Sequence, residues 1–443
     1  MQFFLRLFVL LLCALCFLSA CAPRLERHFI QDSEVEITSV DDNNDANPKT
    51  VRINGREIRM NNLQNGNCND VNTYIPDLNH LDHFPDYQLR VNFHFIDTQK
   101  RLYNYTESEA HDMVSSMLYS ANVDLRDNNR VWLPYGNDLP QLPIGYQMVL
   151  EKDPQQEKGM GIYFHQDDDL AYYVHRGRDR NIQKREVIKK YGIGMDSVFN
   201  IFIMPHHPDS VLSPTYHVGA VGVYLGNAIK MAGMYELKQE GWAYRGVLNH
   251  EVGHALSLQH AWGNDGCEDT PKHNNDCWNR STKVHCDTAA TNNVMDYNAY
   301  QNAYSPCQVG RIRRTLANER ASIRKYLVPY WNQLDTNKNI VIQDSIHWAS
   351  ARELKGHLTI ATGATLKVSC RLGMPNAGKI TIEPGGKLIL ENALLHHPGS
   401  LKWEGIIVEQ LRKEKGRLII IGDTQIIDLE HPIDWAKPET SKT

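Results

Sequence analysis

The sequence predicts an α+β (α/β) domain with a twisted sheet and one histidine-bearing helix, followed by a small all-β domain. In residues 89–96, apolar and polar side chains alternate as they do along a strand. In residues 247–256, apolar positions recur at the spacing of a buried helix. After residue 335, short runs of β-forming residues are interrupted by glycine. We therefore predict two domains, residues 85–335 and residues 336–443.

Further elements of the first domain follow in chain order. Thr106 and Glu109 form the pattern of a capping box and predict a helix that begins there. Further strands are predicted at residues 146–150, 161–164 and 198–204. Residues 219–224 are predicted to form an edge strand that lines a cleft.

The N-terminus has the pattern of an export signal. Residues 1–20 are almost wholly apolar, with Arg6 as the only charge, and they end in Leu-Ser-Ala before Cys21. This ending resembles a bacterial lipobox, which implies cleavage before Cys21 and lipidation of its thiol; the alternative is a plain signal peptide. We expect an exported lipoprotein, anchored to a membrane at the cell surface or in the periplasm, or released from it. Residues 21–84 are predicted to form a tether and pro-segment.

Composition excludes one class of partner. The formal net charge is −5 at pH 7, and no strongly basic stretch is present, so we expect no nucleic-acid surface. A chain of 443 residues exceeds one ordinary core, which agrees with two or more domains.

The most informative stretch is His-Glu-Val-Gly-His, followed by a third histidine. His250 and His254 are one helical turn apart and project from the same face, and His260 lies six residues further on. Three neutral nitrogens with one open position are typical of a catalytic zinc site. Glu251 would then lie beside the metal and take a proton from a bound water. The alternative is a chance match on an ordinary amphipathic helix, which the third histidine disfavours.

Residues beyond the helix add a turn and several cysteines. Residues 293–297 are predicted to turn tightly, with Met295 under the metal and Tyr297 beside it. In an oxidising compartment, four clustered cysteines indicate two disulfides with three possible connectivities: Cys267, Cys277, Cys286 and Cys307. Cys68 lies in a polar loop, where its thiolate could bind the zinc and keep a zymogen inactive. Alternatively, Cys68 forms a disulfide, for example with Cys370, or is a free thiol.

Together these motifs resemble the pappalysin family of metzincin metallopeptidases over residues 88–325. The resemblance rests on the histidine motif, on Asp-Thr-Pro at residues 269–271, on the Met-turn and on the cysteines. It implies that His250, His254 and His260 bind Zn²⁺, that Glu251 is the general base and acid, and that Tyr297 stabilises the oxyanion. It also implies the disulfides Cys267–Cys286 and Cys277–Cys307, and Ca²⁺ as a second candidate cofactor. Where the family usually has glycine, this chain has Ser257, which would need a positive φ.

The C-terminal domain contains a repeat. Residues 358–368 recur as residues 380–390, 22 residues later (380 less 358), with a looser copy at residues 418–424. Short β-runs at a fixed period predict a small parallel β-solenoid; an ordinary β-sandwich is the alternative. This domain is a candidate for binding a surface partner.

These observations predict a zinc-dependent endopeptidase that acts on protein or peptide substrates. One alternative is a surface adhesion or binding protein with a vestigial metallopeptidase domain. Another is a different zinc hydrolase with an acidic third ligand, for which Glu268 and Asp269 are the candidates.

Overall fold

The computed structural model describes residues 25–38, 50–53, 56–59, 67–100, 105–151, 161–174, 185–217 and 219–433. The chain forms two compact units. The α/β unit comprises Asn69–Pro329. The β-rich unit combines the described residues before Asn69 with those from Tyr330 onward. The predicted boundaries, which place residues 21–84 apart from both domains, differ from this division.

The helices and strands are numbered here in chain order. The α-helices are α1 (Glu107–Asp127), α2 (Glu186–Tyr191), α3 (Pro208–Val211), α4 (Met234–Leu237), α5 (Arg245–Ala255), α6 (Cys286–Ala289) and α7 (Pro306–Ala317). The strands up to α5 are β1 (Leu25–Phe29), β2 (Val35–Thr38), β3 (Thr50–Ile53), β4 (Arg56–Arg59), β5 (Tyr87–Asp97), β6 (Tyr146–Leu150), β7 (Ile162–Gln166), β8 (Phe199–Met204), β9 (Val221–Tyr224) and β10 (Ala228–Ala232). The later strands are β11 (Ile340–Ile342), β12 (Ser345–Trp348), β13 (Arg352–Glu353), β14 (Leu358–Ile360), β15 (Thr365–Val368), β16 (Arg371–Gly373), β17 (Lys379–Ile382), β18 (Lys387–Glu391), β19 (Leu394–His396), β20 (Gly405–Leu411), β21 (Glu414–Lys415), β22 (Arg417–Ile421) and β23 (Gln425–Ile426).

The α/β unit is built on a mostly parallel sheet. β5 pairs in parallel with β6 and β7 on one edge and with β8 on the other. β10 continues the sheet in parallel, and β9 pairs with it antiparallel at the end of the sheet. β8 is buried along its whole length, as expected for a central strand covered on both faces. The predicted α/β class and the predicted edge strand in residues 219–224 are confirmed.

Helix α1 supports α5, the helix that carries His250 and His254. The predicted capping box at the start of α1 is present, with Thr106 and Glu109 each bonded to the other's backbone N–H. Asn249 Nδ2 of α5 donates to the Ala121 carbonyl of α1 at 3.2 Å, and both residues are fully buried. The middle of α5 is therefore fixed against α1.

The β-rich unit contains three parallel sheets that share one apolar interior. Their strand orders are β11-β14-β17-β20, β12-β15-β18-β22 and β13-β16-β19-β23. Leu358 pairs with Ile380 and Thr365 with Lys387, so one pair of neighbouring strands in each of two sheets is 22 residues apart (380 less 358, and 387 less 365). This spacing is the period of the sequence repeat, and the predicted all-β character of the region is confirmed.

The prediction of a tether and pro-segment is wrong for residues 25–38. β1 pairs antiparallel with β20, and β2 pairs in parallel with β22. The end strands of a sheet have unpaired backbone groups, and β1 and β2 satisfy those groups here. Glu36 also pairs with Arg417. Residues 1–20 and Cys21, on which the signal and lipidation predictions rest, lie outside the described residues.

Cys68 forms a disulfide with Cys370, with an S–S distance of 2.15 Å. The sulfur is therefore not available as a thiolate ligand, and the predicted zymogen switch at Cys68 is corrected to the alternative disulfide. Within the described ranges, no helix is long and apolar enough to cross a membrane.

Candidate metal centre

Three histidine rings converge at the C-terminal end of α5. His254 Nε2 lies 3.2 Å from His250 Nε2 and 3.2 Å from His260 Nε2. The ligand atoms of all three lie within 4.8 Å of one another. The structure thus brings together the three predicted metal ligands.

A tight turn after α5 delivers His260 to the other two rings. The Leu258 N–H donates to the Gly253 carbonyl at 3.0 Å, which reverses the chain immediately after the helix. Ser257 in this turn has φ 69°, the left-handed conformation expected from the sequence. A non-glycine residue there costs about 1 kcal/mol, which is small beside the free energy of metal binding.

Backbone carbonyls fix the tautomers of two rings. His250 Nδ1 lies 2.7 Å from the Val294 carbonyl, and His254 Nδ1 lies 2.9 Å from the Leu258 carbonyl. A carbonyl only accepts, so each Nδ1 carries the proton and each Nε2 presents a lone pair to the centre. These are the tautomers that a metal bound by Nε2 requires.

Burial also keeps the rings neutral. It lowers the pKa of His250 to about 3, assisted by the neighbouring His254, and lowers the pKa of His260 to about 4. The pKa of His254 is lowered for the same reason. Because neutral imidazole is the ligand form, the centre is prepared for a cation at neutral pH.

Glu251 is a buried carboxylate beside these rings. Glu251 is 5% exposed. On α5 it lies between His250 and His254, the first two candidate metal ligands. Burial raises the pKa of Glu251 to about 7, and a hydrogen bond from the Tyr224 backbone partly offsets this. A group with that pKa both accepts and returns a proton near neutral pH.

The predicted Met-turn lies under the histidines. Met295 is fully buried, and its carbonyl accepts from the Ala261 N–H at 3.1 Å, next to His260. Tyr297 is 52% exposed, and its ring centroid lies 5.4 Å from that of His260 and 5.7 Å from that of His250. Burial raises the pKa of Tyr297, and the charge of Glu251 adds to this, so the hydroxyl keeps its proton.

The acidic alternatives for the third ligand are not supported. Asp269 accepts from Ser305 Oγ at 2.6 Å and from the Cys307 N–H at 2.9 Å, which places its carboxylate at the N-terminus of α7. Glu268 is exposed on the same loop. Three neutral imidazole nitrogens form a donor set that fits Zn²⁺, and the carboxylate of Glu251 lies beside them.

The two disulfides of this region pair differently from the prediction. Cys267 is bonded to Cys307 and Cys277 to Cys286, with S–S distances of 2.09 Å and 2.10 Å. The hydrogen bonds of Asp269 hold the Cys267 loop against the start of α7, where Cys307 lies. Consecutive turns between residues 279 and 286 bring the other two cysteines together. Both predicted pairings, Cys267–Cys286 and Cys277–Cys307, are therefore wrong.

Sequence reasoning missed two neighbours of the centre. Trp262 stacks on His260 with ring centroids 4.0 Å apart. Gln301 Nε2 donates to the Asp296 carbonyl at 2.9 Å and so stabilises the Met-turn. For Trp262, its position two residues after the third histidine could have indicated that it lies near the centre. No sequence pattern indicates the same for Gln301.

Comparison with known proteins agrees with this geometry. The model of a peptidase family described as "Pregnancy-associated plasma protein-A" matches residues 226–317. This segment contains the three histidines, Glu251 and the Met-turn. Comparison with curated proteins finds no significant match.

Several solved structures also show detectable similarity to this chain. Mirolysin in complex with compound 9 is 15% identical, with a TM-score of 0.37, and the similarity covers 55% of this chain and 96% of that chain. Tannerella forsythia mature mirolysin in complex with a cleaved peptide is 16% identical, with a TM-score of 0.35 and coverage of 54% and 95%. Metalloproteinase-II from Bacteroides fragilis is 12% identical, with a TM-score of 0.19 and coverage of 50% of each chain.

At these identities and TM-scores, the solved structures add no argument to the one from the matched segment. That segment carries the complete histidine motif and the Met-turn in the geometry described above. On this basis residues 226–317 resemble that family of peptidases.

Proposed function

We propose that this protein is an exported zinc-dependent endopeptidase in which Glu251 is the general base. The observation that carries the proposal is a buried carboxylate next to three histidine nitrogens that converge on one point. A binding-only site would have no use for such a carboxylate, so the vestigial-domain alternative is disfavoured.

His250, His254 and His260 would hold the ion, each through Nε2. When bound, Zn²⁺ supplies Lewis acidity, which lowers the pKa of water and polarises a peptide carbonyl. Glu251 then accepts the proton from the attacking water and donates it to the leaving amine. Its burial and its near-neutral pKa suit both steps.

Tyr297 is proposed to stabilise the oxyanion. Its hydroxyl is protonated, and its ring lies within 6 Å of two of the histidine rings. A donor on that side of the centre can hydrogen-bond to the negative charge that develops on the carbonyl oxygen. Tyr297→Phe should therefore lower kcat about 10²-fold and leave the zinc content unchanged.

The first test is metal-dependent cleavage by the full chain. The protein is incubated with a pool of fluorogenic peptides, with and without a zinc chelator, and the cut sites are read by mass spectrometry. We expect internal cleavage that is lost on chelation and restored by Zn²⁺. His254→Ala should lose both zinc and cleavage. Cleavage that survives chelation, or a zinc-loaded chain that cleaves neither peptides nor unfolded proteins, would contradict the proposal.

The location is a separate proposal that rests on the N-terminal sequence. We propose that Cys21 becomes lipidated after removal of residues 1–20, which would tether the protein to a membrane. The wild-type protein should partition into detergent and Cys21→Ser into the aqueous phase. Equal partitioning of the two would contradict lipidation.

A further inference from the structure

We propose that Gly222 is a positioning residue for Glu251. Gly222 lies in β9, at the end of the sheet of the α/β unit, and pairs with Met231 of β10. A Cβ atom built on Gly222 would lie 2.5 Å from Glu251 Cγ, 2.7 Å from Oε1 and 2.9 Å from Cδ. These distances are shorter than any that real Cβ atoms make, so any other residue at position 222 would displace the Glu251 side chain.

The backbone of β9 does not itself require glycine at this position. Unlike Gly226 and Gly233, Gly222 does not have a positive φ, and residues with side chains readily adopt extended strand conformations. Space, and not conformation, is therefore what position 222 must provide. The space is occupied by the proposed general base.

A second contact from the same strand acts on the same carboxylate. The Tyr224 backbone donates a hydrogen bond to Glu251, and Tyr224 is two residues from Gly222, so both present their backbone to the same edge of the strand. Strand β9 thus restricts the position of the Glu251 carboxylate in two ways: Gly222 packs against its side chain, and the Tyr224 backbone hydrogen-bonds to it. Glu251 is 5% exposed, which leaves it little room to adopt another position.

The inference rests on the proposed function for its catalytic consequence. Misplacement of a catalytic group by about 1 Å can lower the rate about 10²-fold. Gly222→Ala should therefore lower kcat by about that factor, with KM and zinc content close to those of the wild type. The three atoms nearest to the added methyl group all belong to Glu251 and not to a histidine.

The decisive test needs no activity. Urea unfolding midpoints are measured for the full-length wild type, Gly222→Ala, Glu251→Ala and the double variant. We expect Gly222→Ala to lower the midpoint when Glu251 is present and to have clearly less effect when alanine has replaced it, because the side chain that the new methyl group meets is then absent. Equal shifts in both backgrounds would overturn the proposal.

The control is Gly219→Ala in the same pair of backgrounds. A Cβ atom at Gly219 would meet no atom within 4 Å, so this variant should shift the midpoint equally in both and leave kcat unchanged. If Gly222→Ala does not fold, the double variant decides: recovery of folding supports the proposal, and failure of both overturns it.

A rescue experiment connects the contact to catalysis. Aspartate is shorter than glutamate by one methylene, so Glu251→Asp makes room for a methyl group at position 222. Glu251→Asp should reduce kcat by a smaller factor in the Gly222→Ala background than in the wild type, and purely additive losses would overturn the catalytic part. If the wild type cleaves nothing, the proposed function fails, while the unfolding measurements still decide the contact.

Discussion

The surroundings of the candidate metal centre and the interior of the β-rich unit both contain buried side chains, but these side chains differ in chemistry. Around the histidines several of the buried side chains are polar and at most 5% exposed: Asn249, His250, Glu251 and Asp296. In the second sheet of the β-rich unit the buried side chains in register are apolar and fully buried: Leu366, Leu388 and Leu418.

The difference has a physical consequence. Stacked leucines contribute through the area that they remove from water, and any well-fitting apolar neighbour serves this purpose. Buried polar groups need specific partners, as His250 needs the Val294 carbonyl. A change in the β-rich unit should therefore alter stability, whereas a change at the centre should alter the position and charge of functional groups.

The largest effect on stability is expected in the β-rich interior. Leu388→Ala leaves a cavity between two fully buried leucines and should lower the free energy of unfolding by about 3 kcal/mol. Urea unfolding measures this loss. Lys387→Ala, on the neighbouring half-exposed position, is the control and should change it by less than about 0.5 kcal/mol. Equal effects of the two variants would contradict the apolar interior.

The Cys277–Cys286 disulfide in the α/β unit should give a slightly smaller effect on stability. Replacing both Cys277 and Cys286 with serine removes a bridge across 9 residues and should cost about 2.5 kcal/mol in the chain-entropy model. Titration with a thiol reagent shows whether the two cysteines are bonded in the wild type. Urea unfolding measures how much the disulfide contributes to the free energy of unfolding. Val284→Ser, at a 96% exposed position of the same loop, should have little effect. If instead Cys277→Ser alone freed a thiol on Cys307, the observed connectivity would be wrong.

The pH dependence should be concentrated in the α/β unit. Burial lowers the pKa of His94 to about 3 and that of His165 to about 4. The two rings are hydrogen-bonded, with 2.9 Å between His94 Nδ1 and His165 Nε2. The unfolded chain binds protons below about pH 6.5 that the folded chain does not, so stability is present above that pH and falls as pH drops.

The expected slope is about 1.4 kcal/mol per pH unit for each histidine. The unfolding free energy is measured in urea from about pH 6.5 to about pH 4.5, a range that lies between the unfolded and folded pKa values of both rings. Its slope with pH should be shallower for His165→Gln than for the wild type. His217→Gln, at an exposed position, is the control and should keep the wild-type slope. An unchanged slope in His165→Gln would contradict the assignment.

The smallest effect is expected at the turn before His260. Ser257→Gly removes the cost of the positive φ and should stabilise the protein by about 1 kcal/mol. Ser115→Gly, at an exposed position inside α1, should destabilise it by about 0.5 kcal/mol. Thermal unfolding of the two variants measures both changes in stability, which should have opposite signs. Destabilisation by Ser257→Gly would contradict the presence of strain in this turn.

Local patterns in the sequence predicted much of the fold. The strand within residues 89–96, the capped helix from Thr106 and the 22-residue spacing (380 less 358) each depend on residues close in the chain. The three histidines were predictable because two lie on one helix and the third lies just beyond it. The positive φ of Ser257 was expected from the family resemblance, because the family usually has glycine at this position.

Contacts between distant residues could not be predicted in this way. The pairing of β1 with β20 joins residues far apart in the sequence, and no local pattern favours that partner. The disulfide connectivity depends on Asp269 capping α7, which is a tertiary hydrogen bond. The contact between Gly222 and Glu251 likewise appears only once β9 is placed beside α5.

The most direct test of the central claim is the activity of Glu251→Gln at full zinc occupancy. Glutamine keeps the shape of the side chain but cannot accept the proton, so kcat should fall by a factor on the order of 10³ or more, with one zinc still bound per chain. Glu268→Gln, at an exposed position on the next loop, should retain wild-type kcat. A zinc-loaded Glu251→Gln that cleaves peptides at the wild-type rate would contradict the account.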